Sequence, residues 1–246
     1  ERLRAYRQRR GTAVVLRALG GTCHSAAGVS PLLTEIEAMV KTLAPHADGF
    51  VWLPMLAGWS GLGHPDCFRR AAEALRTHAG DRPVLVEMPA MDGEICSDRW
   101  LELVGAFVDG GGSGIVAVGG RAVPGAQTPA PAGWPFPSAI RCGASLAACR
   151  QAAIEAARRA FPRLLIAACG GFHHRDEALR ACEYANVIVE NEAYTRFGPG
   201  IAVQLLHQLV LRLRYLERTG KIESTELWAF QQARWKQLAA SPHTSS

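Results

Sequence analysis

The chain has 246 residues, enough for one large domain or two small ones, and a single α/β barrel of about 250 residues falls within that range. Hydrophobic residues make up 48% and charged residues 20%, and no apolar run approaches the ~18 residues of a membrane helix, so the sequence reads as a soluble globular protein without a membrane partner. The net charge of +5 comes largely from Glu1–Arg10, which holds five arginines, and from helix faces such as Arg212–Arg214. No basic stripe is interleaved with aromatics, so a nucleic-acid partner is not expected.

Glu1–Arg10 has no apolar centre that could serve as a signal peptide, and residues 1–11 read as a basic linker or exposed helix. Apolar, β-rich runs then recur: Ala13–Leu16, Gly49–Leu53, Pro83–Val86, Gly114–Val118, Leu164–Ala167 and Asn186–Val189. Each is expected to be buried on both faces, as parallel strands covered by helices are. Between them, Leu32, Leu33, Ile36, Met39, Val40 and Leu43 keep helical spacing, and so do Ala152, Ala153, Ala156, Ala157 and Ala160. Ser97 and Asp98 can cap a helix over Trp100–Val108 that ends in the Gly110–Gly112 turn.

Strand and helix alternate through short loops, which predicts a parallel sheet, open or closed as a barrel. Val123–Pro137 interrupts the rhythm with five prolines and is expected to be a long loop with a lid or binding role. Beyond Pro199 helices are expected over Ala202–Leu216 and, past Gly220, around Thr225–Leu238. Seven scattered cysteines with no CxxC pair favour reduced thiols and a cytoplasmic location, with no metal centre.

The run Leu165–Gly171, then Asp176–Leu179, Ala185–Val189 and Gly198–Gly200, resembles the closing segment of the dihydroorotate dehydrogenase family of flavin-binding (β/α)8 barrels. Gly143–Ser145 ahead of an Ala/Arg helix resembles that family's Gly-Gly-x-Ser-Gly turn. Pro83–Pro89 resembles its fifth barrel strand, and Ala47–Val51 the strand leading into its catalytic loop. The resemblance spans roughly residues 12–220 and implies an α/β fold: a parallel (β/α) barrel of TIM type, partial or incomplete, with C-terminal helices. Residues 221–246 are expected to be a C-terminal helix and disordered tail.

The resemblance also implies FMN as cofactor, with Gly143, Ser145, Gly170, Gly171 and Ala193 at the cofactor-binding positions. The chemistry positions depart from the family. Glu87 stands where a lysine sits by the flavin, and Val118–Gly119 replace an asparagine. Glu192–Ala193 replace a Thr-Gly that helps hold the phosphate, and the catalytic-loop base falls on Met55 or Leu56, with Ser60 the nearest hydroxyl. The candidate catalytic residues are therefore Glu87, Glu192 and Ser60.

Each candidate also has a plain structural reading. The glycine pair can serve a tight turn alone, and one glutamate can face solvent while another pairs with Arg17, Arg121 or Arg196. His173–His174 lack a third metal ligand within reach, Cys23–His24–Ser25 lack an orienting group, and Trp52, Trp59 and Trp134 are candidate pocket or partner surfaces.

On this alignment the first two βα units are absent, and about six strands do not close an eight-strand circumference. An upstream segment or partner chain is expected to complete the barrel, with a homo-oligomer as one form of this. The expected function is a degenerate barrel domain of a larger, possibly biosynthetic protein, without flavin redox chemistry and serving as a structural or docking module. Two enzymatic readings stand beside it: an FMN-dependent oxidoreductase acting on a small organic substrate, and a non-redox enzyme using the barrel-mouth glutamates.

Overall fold

The computed structural model describes residues 15–19, 30–54, 64–90, 98–124, 138–172 and 175–189, together with residues 204, 207, 211, 215, 218 and 219. Strands and helices alternate as β1 (Val15–Leu19), α1 (Ser30–Leu43), β2 (Gly49–Leu53), α2 (Pro65–Ala79), β3 (Val84–Met88), α3 (Asp98–Asp109) and β4 (Gly114–Ala117). A ribbon of β5 (Arg121–Pro124) and β6 (Ser138–Arg141) follows. The chain continues through α4 (Ala147–Ala160), β7 (Leu165–Cys169), α5 (Arg175–Ala181) and β8 (Val187–Val189). Six strands form one parallel sheet in the order β1-β2-β3-β4-β7-β8, while β5 and β6 pair only with each other, antiparallel. This is an α/β fold with the order of a partial TIM barrel.

The two faces of the sheet carry different cores. One face packs under the helices. Trp52 is fully buried there, its ring centroid 5.2 Å from that of Phe68 on α2 and 6.3 Å from that of Phe107 on α3, among Val86, Met88, Ile115 and Ile166. The other face is the barrel interior, where Val51, Leu53, Leu85, Val116 and Ala167 form a smaller cluster with Leu165 and Cys169 against it. These positions follow from the period of two along each strand and from the parallel register, which aligns Val51 with Leu85 and Val116 with Ala167.

An arginine staple closes the end of the sheet opposite the strand C-termini. Arg158, in the last turn of α4, donates from Nε to the Tyr184 carbonyl at 2.9 Å. Its Nη1 donates to the carbonyls of Pro162 and Leu164 at 2.6 and 3.0 Å, and its Nη2 to Asn186 Oδ1 at 2.7 Å. The same Asn186 oxygen accepts the Ile166 amide at 2.9 Å, and the Asn186 amide donates to the Ile166 carbonyl at 2.8 Å. Helix α4, β7 and the start of β8 are thereby fixed to one another.

Several expectations need correction. Burial on both faces holds for β2, β3 and β4, but Val187 and Val189 of β8 are exposed and Ile188 is half-buried, because β8 is an edge strand with one paired side. Val15 of β1, the opposite edge, is exposed as well. Val123 and Pro124 are strand residues of β5 rather than loop, since Pro124 pairs with Ser138 and Val123 with Ala139; residues 125–137 lie outside the described residues. The buried stripe of α4 runs through Leu146, Cys149, Arg150, Ala153, Ile154 and Ala157, so Ala160 is exposed and Ala152 and Ala156 are only half-buried.

Helix α2 was not expected. His64 Nδ1 accepts the Asp66 amide at 3.3 Å, Pro65 occupies the first helical position, and Phe68, Ala71, Ala72, Leu75 and Ala79 form the buried face. The helix expected over 202–216 includes the helical residues Gln204, His207, Leu211 and Tyr215 and extends to Arg218, with the Thr219 amide donating to the Tyr215 carbonyl at 3.1 Å.

Candidate functional site

The C-terminal ends of parallel strands are where barrel enzymes place their chemistry, because the βα loops converge there. In this chain the ends of β3, β4 and β7 meet the turn that starts α4. The β3–β4 pairing runs past both strands: the Gly119 amide donates to the Met88 carbonyl at 3.1 Å and the Ala90 amide to the Gly120 carbonyl at 2.8 Å. On the other side the Val118 amide donates to the Cys169 carbonyl at 2.9 Å.

Glu87 is the candidate residue held most firmly. It lies on β3 in register with Val116, on the interior face, and is 2% exposed. A Cβ built on Gly119 would fall 1.9 Å from Glu87 Oε1 and 2.5 Å from its Cγ, so the side chain rests on the bare Gly119 backbone. Only glycine leaves that room. The reading in which Glu87 faces solvent is corrected by this burial.

The two glycine turns, 27 residues apart, are brought into contact. Gly143, Gly170 and Gly171 have φ of +94°, +90° and +70°, a region that side chains with a Cβ rarely occupy. A Cβ on Gly171 would lie 2.8 Å from the Gly143 carbonyl oxygen and 3.0 Å from the Ala147 nitrogen. Close approach of two backbones thus accounts for the glycine independently of any ligand. Ser145 is exposed in the short 3-10 turn Ala144–Leu146 that opens α4.

Arg150 went unnoticed in the sequence. It is 1% exposed, its Nη1 donates to the Gly170 carbonyl, and its guanidinium carbon sits 3.7 Å from the centroid of the Phe172 ring. This cation clamps the glycine turn from behind. The signal was available: an arginine on the apolar stripe of an amphipathic helix. Cys142 Sγ, at the end of β6, lies 3.5 Å from the Gly119 carbonyl and ties the ribbon to the same mouth.

The structure therefore brings Glu87, Gly143, Gly170 and Gly171 to one mouth, with Ser145 on its outer turn. Ser60, Glu192 and Ala193 lie outside the described residues, as do Glu190, His173, His174, Trp59, Trp134 and Cys23–Ser25. Trp52 does not line a pocket, because it is sealed beneath α2 and α3. Among the described residues no three His, Cys, Asp or Glu side chains are grouped to hold a metal, and no helix is long and apolar enough to cross a membrane.

No protein-family model matches the sequence, and no curated protein matches it. Solved structures do. A DHODH from Eimeria tenella in complex with ferulenol superposes with a TM-score of 0.60 at 15% identity, over 77% of this chain and 55% of its own. The ligand-free form of that DHODH gives the same score and identity over 77% and 57%. The fold is DHODH-like. The chain spans a little over half the length of the DHODH chains it matches, and the likeness carries the scaffold at an identity too low to carry the activity.

Proposed function

We propose that this chain is a DHODH-like barrel scaffold that has given up flavin redox chemistry and serves as a structural or docking module of a larger protein. The observation that carries this reading is the Glu87–Gly119 contact. The resemblance places a flavin-facing lysine at Glu87, and an asparagine at Val118–Gly119. Here a glutamate stands at the first position, buried against the bare backbone at the second. An acidic side chain supplies no cation to favour a reduced, anionic flavin, and it fills interior volume on that side of the mouth.

The phosphate side of the site does not offset this. Gly143, Gly170 and Gly171 keep the turns that the resemblance associates with FMN, but Gly171 packs against the Gly143 carbonyl and the start of α4, and Gly170 against the Val118 carbonyl, so both glycines have a packing role of their own. The described residues of the mouth do not fit FMN as the family holds it.

The test is a titration of the purified protein with FMN, followed by absorbance and by quenching of flavin fluorescence. A protein that is colourless as isolated and leaves free FMN unquenched supports the scaffold reading. Stoichiometric binding would sink it and restore the oxidoreductase alternative. The non-redox alternative rests on Glu87 being available to a substrate, and 2% exposure argues against that.

A further inference from the structure

We draw no further inference here: the strongest candidate, the buried Arg150 behind the glycine turns at the start of α4, belongs to the barrel-mouth site already described and restates the cofactor-binding positions that the resemblance gives to Gly143, Gly170 and Gly171.

Discussion

Substituting Gly119→Ala introduces a methyl group at the point where Glu87 lies closest to the backbone. The new carbon would sit 1.9 Å from Oε1, 2.4 Å from Cδ and 2.5 Å from Cγ, so the whole end of the glutamate has to move in a site that leaves it 2% exposed. Gly119 does not have a positive φ, so the loss is steric rather than conformational. Overpacking of this kind costs roughly 1–3 kcal/mol. At about 2–4 °C per kcal/mol for a domain of this size, the melting temperature falls by ~2–12 °C.

A double-mutant cycle isolates the contact. In Glu87→Ser/Gly119→Ala the methyl occupies volume the carboxylate has vacated, so the two losses do not add, and the coupling is about 1–3 kcal/mol. Differential scanning calorimetry on the parent, both single variants and the double variant gives all four corners. Additivity within about 0.5 kcal/mol would refute the packing of Glu87 on Gly119, and the functional reading with it.

Three further outcomes follow from other contacts. Arg150→Met removes the donor to the Gly170 carbonyl and the cation over Phe172, and is expected to destabilise the protein by ~2–3 kcal/mol in chemical denaturation. Arg158→Met unpins β8, so hydrogen exchange at 187–189 accelerates more than at 84–88, and equal acceleration at both would contradict the staple. Burial, with Glu183 adding to it, pushes the Cys182 thiol up to about 11 from 9.0. The folded state therefore holds that proton more tightly than the unfolded chain. Its contribution to stability is complete below pH 9 and lost as pH rises towards 11, and iodoacetamide at pH 8 modifies the exposed Cys142 before Cys182.

The repeating strands were legible because each has a β-rich apolar core, Gly49–Leu53 and Gly114–Ala117 most plainly, set between helical spacings. The sequence also placed Glu87 and the glycine turns at one end of the sheet. It did not announce α2, whose alanine-rich buried face makes a weak apolar signal, or the ribbon, because Val123 and Pro124 looked like the start of a proline loop. Arg150 was hidden by its company: in an Ala/Arg helix a buried arginine looks like the exposed ones until the register of the stripe is known. The exposure of β8 depends on which strand lies at an edge, a property of the whole sheet that three apolar residues cannot reveal.

The most direct measurement is flavin content. The protein, purified and then incubated with excess FMN and desalted, is examined for the flavin absorbance bands and for quenched flavin fluorescence. The Glu87–Gly119 arrangement predicts a colourless protein in both conditions, and no gain of flavin in Glu87→Gln, since a glutamine fills the same volume and restores no cation. One equivalent of tightly held FMN in the parent protein would contradict the account at its centre.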